Sequence, residues 1–370
     1  MRMTKKNKNI QDLDKNLKTS GLPKTMALRW LPATDRKLTV QGLAWFSENR
    51  GAFFRLPLRA KKLVREAVWH LAQCPAGARI AFRSDTTSLA VRATLRDTNH
   101  LPHMPMTGSN GLALFVGEPG GKLHFWRTAV PDQATPCFER ELLTNVPAKM
   151  REFRLYLPLY KALDKLELGF TPGAAILRPT SYALPHPVVF YGTSITQGGC
   201  ASTAGSDFVS NVSRLLNLDV VNLGFSGNGK GEPELAHLIA EIDASLYVLD
   251  YAANTTPAEM SKTLPVFLDI LRDRRPLTPI LMISQISHAA FHFDPSILQK
   301  LDGTRECLMD HFLRRRRQGD RHIHFVDGYG LIPFGTESAT VDGGHPTDHG
   351  FRIMADRLAP ALEQILSRDH

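Results

Sequence analysis

Four short stretches of the chain carry residue types that can activate a hydroxyl and hold a developing negative charge. Phe190-Tyr191-Gly192-Thr193-Ser194-Ile195-Thr196-Gln197 follows from an apolar run, Pro187 to Tyr191, that shows no alternation and reads as a short buried strand cut off by Gly192. Ser194 therefore falls at the carboxyl end of a strand, where open α/β sheets gather reactive groups. Asp342-Gly343-Gly344-His345 supplies a carboxylate three residues before an imidazole. In a glycine-containing loop that carboxylate can hold one ring nitrogen while the other faces a nucleophile. The stretch Asn222 to Lys230 is glycine-rich enough for backbone N–H groups to approach an oxyanion. Asp250-Tyr251-Ala252-Ala253-Asn254 ends in an amide that can donate to the same charge.

Each stretch also has a plainer reading. A serine after a strand commonly caps the next helix, and Asp-Gly-Gly is ordinary turn chemistry. The glycine stretch can be a simple strand-to-helix turn, and Lys230 lies outside the spacing of a phosphate-cradling P-loop. Asn254 can cap the helix that Pro257 helps to open. Thr193, Gln285 and His288 are further candidates for substrate contact, the last two just past the fourth strand or simply in its turn.

Bringing these residues together requires several strands to end on one rim. Beyond Pro187, strand and helix patterns alternate: strands at 188–192, 219–225, 246–251, 280–286 and 323–327, helices at about 207–216, 232–242, 257–272, 296–317 and 348–366. The last helix is marked by Phe351, Met354, Leu358, Leu362 and Ile365 at steps of three and four. Such alternation implies a parallel sheet covered on both faces. Before it, from about Met26 to Pro179, apolar residues recur at period two, as in Ile80/Phe82, Leu89/Val91/Ala93/Leu95 and Phe153/Leu155/Leu157. Turn clusters at 74–77, 107–111 and 118–121 separate them, which points to an all-β sandwich or jelly roll, interrupted by one helical piece at 61–72. The expected division is a mobile basic tail over 1–27, a sandwich over 28–183 and an α/β unit over 184–370, joined by a proline-punctuated connector.

Taken together the motifs resemble the SGNH/GDSL hydrolases, in which block I carries the serine, blocks II and III a glycine and an asparagine, and block V a DxxH. Gly192-Thr193-Ser194-Ile195-Thr196 corresponds to block I, with Thr193 where the namesake motif has aspartate. Asn222 to Gly227, Asn254 and the Asp342/His345 pair correspond to the other three. The resemblance implies a flavodoxin-like three-layer α/β/α domain with a five-stranded parallel sheet. It also implies Ser194 as nucleophile, His345 as base and Asp342 as its orienter. The oxyanion donors would be the Ser194 and Gly227 N–H groups and the Asn254 side chain. The preceding segment is similar to the β-sandwich found before the catalytic domain in a bacterial subgroup, some members of which carry a Gly-x-Asp-Leu-Tyr signature. Here Gly111-Leu112-Ala113-Leu114-Phe115 stands in its place, without the aspartate or the tyrosine.

Composition narrows the remaining classes. The chain of 370 residues is 43% hydrophobic and 22% charged, the balance of a globular protein long enough for two cores. The formal charge of +9 is concentrated in the tail, where Arg2, Lys5, Lys6, Lys8, Lys15, Lys18 and Lys24 face only Asp12 and Asp14. Arg314 to Arg317 reads as the solvated end of a helix, and no aromatic platform accompanies it, so no nucleic-acid partner is expected. No membrane span and no secretory signal are visible, which favours a cytoplasmic protein. Cys74, Cys137, Cys200 and Cys307 form no CxxC pair, and His288, His292, His322, His324 and His349 lack metal-site spacing. No metal or organic cofactor is expected; a homo-oligomer is compatible with the sequence. The leading expectation is a serine esterase acting on short-chain acyl groups, O-acetyl in particular, on a carbohydrate. Acyl transfer with the same triad, a lipid or short-chain acyl esterase, and a non-catalytic glycan-binding protein are the alternatives.

Overall fold

The structure, a computed structural model, describes residues 13–14, 21–22, 27–99, 101–132 and 135–368, so most of the basic tail expected over 1–27 lies outside the described residues. The first half is built from β1 (Arg29–Pro32), β2 (Thr39–Gln41), α1 (Glu66–Ala72), β3 (Arg79–Ser84), β4 (Leu89–Leu95), α2 (Met106–Ser109), β5 (Leu112–Gly117), β6 (Leu123–Ala129), β7 (Cys137–Leu143), β8 (Arg151–Tyr156), β9 (Leu163–Phe170) and β10 (Ile176–Leu177). They form two antiparallel sheets, one ordered β1-β9-β4-β7 and the other β10-β3-β8-β5-β6, with β2 added to β3. The period-two residues point between the sheets: Ile80, Phe82, Leu89, Val91, Phe153 and Leu155 share one core. There the Phe82 and Phe153 rings stack with centroids 5.0 Å apart.

The second half alternates β11 (Val188–Gly192), α3 (Ser194–Gln197), α4 (Phe208–Leu216), β12 (Val220–Gly224), α5 (Pro233–Glu241), β13 (Leu246–Asp250), α6 (Pro257–Arg274), β14 (Ile280–Ile283), α7 (Pro295–Arg317), β15 (Ile323–Val326) and α8 (Asp348–Arg368). The five strands are parallel and ordered β12-β11-β13-β14-β15, the flavodoxin-like order, with the reversal at β11. Helix starts follow their local chemistry. Asp207 caps α4, Thr256 and Glu259 form a capping box at α6 with Pro257 in its first turn, and Asp294 caps α7.

Two expected elements differ. The helical piece at 61–72 divides into a 3-10 turn, Leu58–Lys62, and α1, because Arg65 is extended and sends its guanidinium to Asn228 and Glu232. The turn cluster at 107–111 contains α2, entered from an extended Pro105.

The halves are packed tightly together. Trp45, Leu56, Val68 and Trp69 share a core with Tyr191, Phe225 and Phe267, and Ala113, Phe115 and Tyr156 share another with Phe190, Phe208 and Val212. The four cysteines are free, and among the described residues no helix is long and apolar enough to cross a membrane.

Candidate active site

The rim is set by strand register. Gly192, Gly224 and Asp250 lie opposite one another on β11, β12 and β13, so residues two to four positions later on each strand meet at one edge. Ser194 opens α3 there, and its carbonyl accepts from the Gly198 and Gly199 N–H groups at 3.0 and 2.7 Å. Gly198, at φ +99°, ends the turn, and a Cβ on it would lie 2.9 Å from that of Asp207. Thr193 is buried, and its hydroxyl accepts from the Ile195 N–H at 3.3 Å. The substrate contact expected of Thr193 therefore gives way to a capping role beneath the serine.

Ser194 Oγ is 2.8 Å from His345 Nε2, and His345 Nδ1 is 2.7 Å from Asp342 Oδ2. The other carboxylate oxygen accepts the His345 and Gly344 N–H groups at 2.8 and 3.1 Å. Burial raises the Asp342 carboxyl, but the N–H and ring of His345 and the N–H of Gly344 outweigh it and hold the group down to about 2. Asp342 is thus an acceptor anchored at both oxygens. The arrangement has the parts of a hydroxyl-activating relay.

The turn after β12 lies against the serine strand: Phe225 donates to the Gly192 carbonyl at 2.9 Å, and a Cβ on Gly229 would lie 2.0 Å from it. Gly227 adopts φ +66°, and neither of the turn's bonds from Asn228 and Gly229 to Phe225 involves its N–H. The Asn254 amide belongs with Oδ1 toward the Asn228 and Gly229 N–H groups, at 3.0 and 3.2 Å, which fastens it to the same turn. Asn254 sits in a 3-10 turn, while Thr256 caps the helix.

His288 borders the triad loop: Ala289 donates to the Gly343 carbonyl at 2.8 Å, and a Cβ on Gly344 would lie 3.0 Å from His288 Nε2. Gln285 instead adjoins the Gly328 turn, and its Oε1 has no hydrogen-bond partner among the described residues. Cys200 is buried, and burial pushes its thiol up to about 11.

Several neighbours of the rim carry no motif. Gln197 bridges it to the sandwich, donating to the Leu159 carbonyl and accepting from the Ser226 N–H, both at 3.0 Å. The Tyr160 hydroxyl pairs with Ser226. His103, on the loop before α2, has its ring centroid 6.3 Å from that of His345. Asp250 accepts from the Thr196 hydroxyl at 2.8 Å, and burial pushes its carboxyl up to about 7 against that bond. Of these, Gln197 and Asp250 lie within stretches marked by their residue types. The others reach the rim from the sandwich or from within a turn, where sequence spacing carries no signal.

The profile of the GDSL-like lipase/acylhydrolase family matches residues 185–363, and that of the N-terminal domain of SGNH-type esterases matches residues 28–176. A GDSL-like lipase from Bacteroides ovatus is 29% identical over 92% of this chain and 98% of its own, with a TM-score of 0.85. A salicylyl-acyltransferase from a tetracycline biosynthetic pathway is 23% identical over 91% of this chain and 97% of its own, with a TM-score of 0.77. A family two carbohydrate esterase from Cellvibrio japonicus is 13% identical over 92% and 98%, with a TM-score of 0.58. No curated protein is a significant match. Two adjoining family profiles, laid over a parallel sheet in flavodoxin-like order and a sandwich that precedes it, lead to one assignment: the chain belongs to the SGNH/GDSL hydrolases and is a carboxylic ester hydrolase.

Proposed function

We propose that the protein is a serine esterase that removes short acyl groups, O-acetyl foremost, from a carbohydrate. Ser194 Oγ attacks the ester carbonyl while His345 Nε2 takes its proton. Collapse of the tetrahedral intermediate expels the alcohol, which leaves with that proton, and water then releases the acid by the same steps. Asp342 holds the ring in one tautomer. The N–H groups of Ser194 and Gly227 and the Asn254 amide receive the oxyanion.

The observation that carries this reading is the unbroken run of hydrogen bonds from Ser194 through His345 to Asp342. The carbohydrate part leans on likeness of fold to family two carbohydrate esterases. Acyl transfer to an alcohol other than water is the second reading, favoured by the greater structural likeness to the salicylyl-acyltransferase.

Ser194→Ala is expected to lower hydrolysis of p-nitrophenyl acetate by about 10³-fold or more with the melting temperature kept. Activity close to that of the unaltered chain would remove Ser194 from the chemistry. Hydrolysis of acetylated glycans compared with short-chain acyl lipids, with and without added alcohol acceptors, separates the substrate readings.

A further inference from the structure

A cavity lies away from the rim, between the outer face of the larger sandwich sheet and α4. Its volume is about 480 Å³, within the range of small-molecule sites, and its wall includes Lys122, Glu152, Arg154, Asn211, Arg214 and Arg352. None of the residues assigned to ester chemistry lines it.

The wall is charged in a way that folding alone does not explain. Arg154 is 4% exposed, and its Nε has no hydrogen-bond partner among the described residues; the same holds for Arg214 Nη1. Both guanidinium groups are clamped by rings rather than by carboxylates. Arg154 lies 4.7 Å over Tyr182, and Arg214 lies 4.3 Å over Phe115 and 5.3 Å from Tyr156. Arg214 is also braced by Asn211 Oδ1 at 2.8 Å. Rings orient a guanidinium without neutralising its charge, so Arg154 and Arg214 keep the cavity they line positive.

Among the described residues Glu152 is the single acidic group in the wall, and its two oxygens already accept the Thr180 N–H, each at 3.2 Å. At the mouth, Lys122 is exposed, and Arg352 is exposed with Asp356 beside it at 2.8 Å. The local field is positive enough that the Tyr156 phenol is lowered despite its burial, with Arg214, Arg79 and Arg154 outweighing desolvation.

We infer that this cavity is a binding site for a small phosphorylated ligand, with Arg154 and Arg214 gripping the phosphoryl oxygens and Lys122 closing the mouth. With Arg352 paired to Asp356 and Glu152 set against one arginine, two cations are left over, more than a monocarboxylate would neutralise. Guanidinium forks match phosphoryl oxygens in geometry. The site is independent of the reaction proposed for Ser194.

The test is titration of the full chain with inorganic phosphate and pyrophosphate by calorimetry and thermal shift, against sodium chloride at equal ionic strength and against citrate. Saturable stabilisation by the phosphates beyond chloride is expected. Arg154→Gln should weaken it about tenfold or more, and Lys122→Ala by about threefold, both with p-nitrophenyl acetate hydrolysis retained. Should Arg154→Gln fail to fold, the exposed Lys122→Ala decides. Stabilisation no greater than that of chloride, equal affinity in the variants, or tighter binding of citrate than of phosphate would each overturn the assignment.

Discussion

The carboxyl edge of the parallel sheet and the outer face of the sandwich are both made of short strands, yet they treat polar groups in opposite ways. At the edge, Ser194, His345 and Asp342 are half-buried or exposed and bonded to one another in series. On the sandwich, alternation sends Ile80, Phe82, Phe153 and Leu155 into the core and leaves Arg79, Glu152 and Arg154 on the other side, where solvent would ordinarily meet them. Here the α/β half covers that side. Its polar residues are buried at the junction and served by the neighbouring half: Arg79 pairs with Asp219, and Arg55 donates to the carbonyls of Asn222 and Gly224. The sandwich therefore acts as a wall of the enzyme, fixed to the strand that leads into the Gly227 turn.

The sharpest way to break that contrast is Arg55. It is fully buried, touches no carboxylate among its hydrogen-bond partners, and lies 4.9 Å over the Phe225 ring; burial lowers its guanidinium to about 10. Arg55→Met would leave buried carbonyls on both halves without a donor. A loss of about 3–5 kcal/mol in unfolding free energy is expected by denaturant titration. A loss under about 1 kcal/mol would mean the junction is not a structural wall. At the edge the counterpart is Asn254→Ala, expected to lower kcat by about 10²-fold, near 3 kcal/mol, with KM little changed. A rise in KM at constant kcat would make Asn254 a binding residue instead.

The same contrast decides how much could be read from the sequence. The five parallel strands are buried on both faces, so they appear as unbroken apolar runs whose bounds agree with the structure to within a few residues. Ser194, Asn254 and the Asp342/His345 pair follow such runs or lie in the final loop, where residue type and spacing mark them, while Gly227 is picked out of its glycine-rich stretch only by the family resemblance. The sandwich strands were legible from alternation, but which of their outward residues meet the other half was not. Arg55, Tyr160 and His103 reach the rim or its supports through contacts far apart in sequence, and no local period records them. Nor does position beside Ser194 reveal that the Thr193 hydroxyl caps α3 by accepting from the Ile195 N–H.

A smaller effect separates the edge from its support through pH. Asp250 is raised to about 7 by burial, opposed by its bond from Thr196. A carboxyl raised on folding contributes stability that is complete below its ordinary range and is lost as pH rises through about 7. Asp250→Asn keeps an acceptor for Thr196 without the charge, so its melting temperature relative to the unaltered chain should climb between about pH 4 and pH 7 and level off above that. A constant difference across that range would mean that Asp250 ionises as an ordinary surface carboxylate.

The mildest change expected is at His103, an exposed imidazole that the sandwich half brings beside the triad. Its ring is tilted 48° to that of His345 with centroids 6.3 Å apart, too distant for it to share the Ser194 proton but close enough to meet a bound alcohol group. His103→Ala should therefore leave kcat for p-nitrophenyl acetate within about twofold and raise KM about two- to fivefold for acetyl esters of bulkier, hydroxyl-rich alcohols, the worth of one exposed hydrogen bond. A substrate-independent fall in kcat would instead place His103 in the proton relay. Identical kinetics for every alcohol would confine the sandwich to structural support, with the cleft shaped by the α/β half alone.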